Sequence, residues 1–316
     1  MMFSFLLPII LSLGIGVFCK RKKLLDSGAV EALKTLVTTF FLPMLAFRMF
    51  STASLQGTAV FLGILSFGLL SLALLLGFVT RRFLGEYGEF GCFLMSSAEG
   101  GMIGVGLFQM LYGPENLPYL APVELGQGLF YFIVYLTVLT GKCMPPSSKK
   151  RSAAASAAAV AKRILTTPVF DGCLAGILYQ LLSLPALAGK TGFSVPLYAC
   201  IDGFTALIIP LILIAIGYEL SFSQKVWRAV LKTTALRLCI MGACVLMGIW
   251  IIHTVGITDP GCAIALAFEF SLPPSFLIVV YVGDRRHQQY LNAALSFCVL
   301  VTLFFAAGFQ MFLQIG

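Results

Sequence analysis

The chain has 316 residues, 59% of them hydrophobic and 11% charged, with a mean hydropathy of +0.98. About a quarter of the residues in a soluble globular domain are charged, so a water-facing fold is excluded, and with it cytosolic enzymes, nucleic-acid binders and secreted domains. The excess of 21 Lys and Arg over 13 Asp and Glu then reads as loop charge orienting a helical membrane protein in a lipid bilayer, with no nucleic-acid partner.

A spanning helix needs about 20 apolar residues. In chain order the apolar runs predict ten spans, near 2–19, 31–51, 58–80, 88–112, 119–141, 166–188, 196–220, 230–253, 260–282 and 289–313. The basic cluster Lys20, Arg21, Lys22 and Lys23 follows the first run, the reverse of a cleaved secretory signal, so this helix is expected to be retained. The second run carries Thr35, Thr38 and Thr39 ahead of Pro43, where back-bonding to helix carbonyls is expected. Arg48 lies near its outer end, either snorkelling to the interface, attracting an anion or pairing with Asp202 of the seventh run; snorkelling is the plainer reading. The fourth run is irregular, with Glu99, Gly100, Gly101, Gly104 and Gly106. In the fifth, Glu124, Gln127, Tyr131 and Tyr135 share one helix face that either lines a cavity or bonds to a neighbouring helix.

Residues 142–165 form a basic linker, read as a tether between two halves that lies on an anionic leaflet, although its Ala-rich part, 153–163, could form a surface helix. The ninth run contains Glu269, Ser271, Pro273 and Pro274, and the tenth has Asn292 and Ser296 one turn apart as an interhelical contact. Glycines 14, 16, 63, 68, 242 and 248 read as close-packing positions. Nine cysteines, with no CxxC pair, read as packing residues. His253 and His287 fall at opposite membrane faces. No metal or cofactor is expected.

Nineteen of the 21 Lys and Arg, Arg237 among them, fall in or beside alternate loops, which leaves Arg48 and Lys190 on the other side. The positive-inside rule then predicts a multi-pass cell-membrane protein, inner or plasma, with both termini outside. Five spans on each side of the linker divide the chain into repeats 1–141 and 166–316, inserted with opposite orientation. A shift of 170 residues places Glu99 on Glu269 and Gly91-Cys92 on Gly261-Cys262; a shift of 167 places Thr38 on Thr205 and Pro43 on Pro210. The expected fold class is therefore an all-α polytopic membrane protein, with ten transmembrane helices in two inverted five-helix repeats and broken helices four and nine in matching positions.

The segments PIILSLGIGVFCKRKKLL, FFLPMLAF, IIPLILIAIGYEL, LRLCIMG and EGGMIGVGLFQMLYG together resemble the auxin efflux carrier family, which includes plant auxin carriers and bacterial malonate or malate permeases. Glu99 stands where the family pattern has Asn, and Gly106 where it has Pro; Glu124-Leu125-Gly126-Gln127 is similar to bacterial members. The resemblance implies a permease with crossed broken helices and favours a small carboxylate as substrate.

The expectation is a secondary carrier that works by alternating access. Spans three to five and eight to ten would form its transport unit, against a unit built largely from one, two, six and seven. Its candidate substrate or ion residues are Glu99, Gly100, Gly101, Gly104, Glu124, Gln127, Glu269, Ser271, Pro273 and Pro274, with Asn292, Ser296, Arg48 and Asp202 behind them. An intramembrane carboxyl is costly, so Glu99 and Glu269 would carry H+ or Na+, bind the solute, or cap freed N–H groups. Two nearby carboxylates would repel an anion unless protonated or paired with a cation, which leaves a neutral or cationic solute open. An intramembrane enzyme, for which neither HExxH nor GxSxG is present, and a non-transporting sensor or scaffold are the rivals. A homodimer is left open.

Overall fold

The computed structural model describes residues 2–52, 57–143, 168–182, 194–220, 226–276 and 278–315. The basic linker beyond residue 143, with its Ala-rich stretch 153–163, and Lys190 and Lys225 lie outside the described residues. Every regular element among the described residues is helical. The α-helices are α1 (Met2–Lys22), α2 (Ser27–Leu36), α3 (Leu42–Thr52), α4 (Gly57–Thr80), α5 (Gly88–Gly91), α6 (Val105–Tyr112), α7 (Leu117–Phe130) and α8 (Leu136–Cys143). They continue with α9 (Pro168–Leu181), α10 (Ser194–Thr205), α11 (Ile208–Glu219), α12 (Trp227–Thr254), α13 (Pro260–Ser271), α14 (Ile278–Tyr281) and α15 (Arg285–Ile315).

Six stretches among the described residues are long and apolar enough to cross a membrane: Ser27–Thr52, Gly57–Met95, Pro114–Cys143, Val195–Glu219, Trp227–Thr254 and Arg285–Ala306. The protein is thus a helical membrane protein.

Local chemistry sets the helix boundaries. The Asp26 carboxylate accepts the Ala29 N–H at 2.7 Å, and Asp259 accepts Gly261 N–H at 2.9 Å with Pro260 at the first helical position. Pro43 cannot donate to the preceding turn, and the chain accommodates it with a π turn at Val37–Phe41. Thr35 and Thr38 back-bond to the Glu31 and Lys34 carbonyls ahead of that turn, as their spacing suggests. Between α4 and α5 the chain turns through Gly85 at φ +59°, ψ −131°, a conformation open to a residue without Cβ.

The chain forms two compact units, and neither is a sequence half. The first comprises residues 1–54, 101–121 and 162–219, and the second residues 55–100, 122–161 and 220–316. This grouping separates the segments around spans three, five, eight, nine and ten from those around one, two, six and seven. It departs from the sequence expectation in one place, because residues 101–121, with Gly101 and Gly104, belong to the first unit.

Within the first unit, α1 packs on α11 at backbone distance. A Cβ on Gly16 would collide with the Ile214 carbonyl, and one on Gly217 with the Leu13 carbonyl. Gly172 and Gly176 of α9 approach the Pro43 and Phe47 carbonyls of α3 in the same way. Without hydrophobic drive between helices in lipid, such close van der Waals contact holds them together. Arg48 does not simply snorkel: its Nε donates to Asp202 at 3.2 Å and its guanidinium lies 4.4 Å over the Tyr198 ring.

Within the second unit, α12 is central. Its Gly248 seats Leu69 of α4 and Leu266 of α13, and its Thr233 hydrogen-bonds Tyr290 of α15. Tyr290 in turn stacks on Tyr87 with ring centroids 4.3 Å apart. The glycine reading is corrected in part. Gly16, Gly63 and Gly248 meet close neighbours, whereas Gly14, Gly68 and Gly242 have open space where a Cβ would stand. The sequence marks small residues, but only packing distinguishes those that face another backbone.

Adding a methyl group tests this difference. Gly16→Ala should destabilise the purified protein by about 1–3 kcal/mol through overpacking, while Gly14→Ala should leave it unchanged or slightly more stable. Thermal unfolding followed by circular dichroism in detergent measures both.

Candidate functional site

Two helices break inside the second unit. The 3-10 turn Cys92–Met95 gives way to a non-helical stretch from Ser96 to Glu99, before the π turn Gly100–Gly104. Downstream, α13 ends at Ser271 and Leu272 turns to extended backbone (φ −65°, ψ 155°), which Pro273 and Pro274 continue. Neither proline can donate, so the helix cannot resume until α14.

Each break frees N–H and C=O groups that lipid cannot satisfy. Here the breaks satisfy one another. Glu99 N–H donates to the Pro273 carbonyl at 2.8 Å, Ser275 N–H donates to Ser97 Oγ at 3.2 Å, and Phe276 N–H donates to Glu99 Oε2 at 3.0 Å. Three carbonyls at the breaks go to Arg237 of α12, which is 4% exposed. Its guanidinium donates to Leu94, to Ser97 at 2.8 Å and to Leu272 at 2.7 Å. Thr302 of α15 adds a bond to the Ser271 carbonyl at 2.8 Å.

This corrects the charge count. Arg81, Arg82, Arg285 and Arg286 are exposed, as loop cations should be, but Arg237 is not a loop charge. It lies ten residues inside α12, roughly 15 Å along the helix. The sequence did contain the signal, because Arg237 falls within the run 230–253. Ser97, Ser275 and Thr302 were also missed; polar residues this small are common in membrane helices and carry no spacing signature.

Three carboxyl groups gather beside the breaks. Glu99 is engaged by Phe276 and so acts as the cap of the second break. Glu269 is fully buried, and Glu124 reaches it from α7 so that the two carboxyls lie within hydrogen-bonding range, with Glu99 as the nearest further charge. Among the described residues no donor reaches either oxygen of Glu269 or Oε2 of Glu124. Two buried carboxylates at that range cannot both stay ionised without a proton or a cation between them. Gly100 makes room for the pair: a Cβ there would stand 2.7 Å from the Glu124 carboxyl carbon and 2.8 Å from Oε1.

Glu99, Gly100, Glu124, Gln127, Glu269, Pro273 and Pro274 thus come together. Two side chains of the polar face of α7 reach neighbouring segments: Gln127 Nε2 donates to the Ala98 carbonyl at 2.7 Å, and Glu124 faces Glu269. The other candidates fall elsewhere. The Ser271 hydroxyl turns back to the Phe268 carbonyl at 2.6 Å because the helix ends beneath it. Asn292 is exposed while Ser296, one turn on, is buried. Arg48 and Asp202 bond to each other in the first unit, where Gly101 and Gly104 also belong.

No protein-family model matches this chain, and no curated protein matches it.

The role of Arg237 has a direct test. Arg237→Met strips three buried carbonyls of their donor, at about 1–3 kcal/mol each. The thermal midpoint in detergent should fall by more than that of any single Glu→Gln variant, with Arg237→Lys falling between Arg237→Met and wild type. A midpoint unchanged in Arg237→Met would remove the arginine from this role.

Proposed function

We propose that this protein is a secondary carrier. It moves a small organic solute across the cell membrane by alternating access, and the shared proton of Glu124 and Glu269 couples that movement to the proton gradient. The observation that supports this reading most is the buried, donor-less carboxyl pair beside two helix breaks in one compact unit. Intramembrane ionisable groups of this kind mark ion and substrate pathways, and discontinuous helices are where secondary carriers build their sites.

In this reading the chain crosses the membrane ten times as two inverted five-helix repeats, with both termini outside, and its likeness to auxin efflux carriers is one of kind. The second unit carries the solute. Glu99 holds the second break in shape, while Glu124 and Glu269 take up and release the proton. The carboxylate favoured by that resemblance would have to enter beside carboxyls that offer it no donor.

The reading is tested with proteoliposomes that hold a pH-sensitive dye, challenged with a panel of small acids, amines, amino acids and sugars. At least one compound should drive a protein-dependent internal pH change. That response should be lost in Glu124→Gln and Glu269→Gln and kept in Asn292→Ala. If no compound moves protons through the wild-type protein, the carrier reading fails.

A further inference from the structure

We infer that the Glu124–Glu269 pair is a site for a small organic cation, a primary ammonium compound, which enters in exchange for the proton the two carboxyls otherwise share. The inference rests on the carrier reading in taking this pair as the solute site. Its first support is a match of valence. Glu124 Oε2 and both oxygens of Glu269 are buried acceptors that no donor reaches among the described residues. A primary ammonium has three N–H donors and no acceptor, which matches the three acceptor oxygens in number.

The second support is charge. Glu99 is the further charged side chain bearing on the pair, and it adds a carboxyl. Tyr131 and Tyr135 border Glu99, Tyr281 borders Tyr131, and none of the three brings a positive charge. Arg237 is the buried cation of these segments, and the hydrogen bonds of its two terminal nitrogens run to the carbonyls of Leu94, Ser97 and Leu272, none to a carboxylate. An anion entering here would meet carboxyls with no arginine offered to it, whereas a cation would replace the proton that now keeps the pair from carrying two charges. Among the described residues no group of three or more His, Cys, Asp or Glu is arranged to hold a metal ion.

The exchange makes and breaks no covalent bond except that to the proton. The protonated pair and a free ammonium ion yield the ammonium-bound pair and one released proton. The occupied site keeps a single net negative charge in both states, so the loaded and protonated forms cross the membrane with the same charge. Because one proton leaves for each ammonium that binds, affinity should rise about tenfold per pH unit while the pair is protonated. It should fall again near pH 10, where an alkylammonium loses its own proton.

Calorimetric titration of the full-length protein in detergent tests this. The probes are methyl-, butyl- and phenethylammonium, set against formate, pentanoate and phenylacetate, at about pH 6 and about pH 8 on either side of neutrality. Two buffers of different ionisation heat count the protons released. At least one ammonium probe should bind, more tightly at the higher pH, and release about one proton. Glu124→Gln and Glu269→Gln should each weaken it at least tenfold. If the carboxylates bind and the ammonium probes do not, or if neither series binds, the inference is overturned. It is also overturned if ammonium binding releases no proton in the wild-type protein, a result that does not depend on any variant folding. Binding as expected, without proton movement in the liposome experiment, would instead overturn the carrier reading and leave the cation site standing.

Discussion

The structure depends on one rule of the bilayer: a backbone carbonyl released from a helix must find a donor, because lipid supplies none. Two helices of the second unit break, and a single guanidinium takes up a carbonyl at Leu94, another at Ser97 and a third at Leu272. Lysine could not do the same from one point, since its ammonium lacks the planar fork that reaches several acceptors in fixed directions. With the carbonyls engaged by Arg237, the N–H groups of Glu99, Ser275 and Phe276 are left to pair across the breaks. Irregular backbone is thereby made tolerable at a depth where it would otherwise cost several kcal/mol per group.

Against that background the carboxyls separate into two kinds. Glu99 accepts a backbone N–H and belongs to the architecture of the break. Glu124 and Glu269 stand opposite each other with oxygens that nothing in the described protein bonds. An oxygen buried without a donor is expensive to keep. The fold satisfies the difficult backbone groups around the breaks, while three carboxyl oxygens of Glu124 and Glu269 meet no donor from any other described residue.

Much of this was legible in the sequence, for reasons that can be named. Scarce charge and long apolar runs forced a helical membrane protein, and Gly-rich and Pro-Pro stretches marked both breaks, since proline removes a donor whatever its surroundings. Glu99 and Glu269 stood out by rarity. What stayed hidden depended on direction. The sequence could not show that Glu124 faces Glu269 while Gln127, one turn on, bonds backbone, nor that Asn292 points outward while Ser296 is buried. Arg237 was misread for a different reason. A positive-inside count treats every cation near a helix end as loop charge, and only the fold shows that this one serves carbonyls distant in sequence.

The shared guanidinium has a mechanical consequence. Because Arg237 grips Leu94 and Ser97 at the first break and Leu272 at the second, neither break can shift without stretching bonds to the other, and α12 is drawn along with them. The carboxyl pair therefore sits in a clamped frame rather than in a hinge. Ties of this kind hold the two breaks at a fixed separation, so that a displacement of one is a displacement of both.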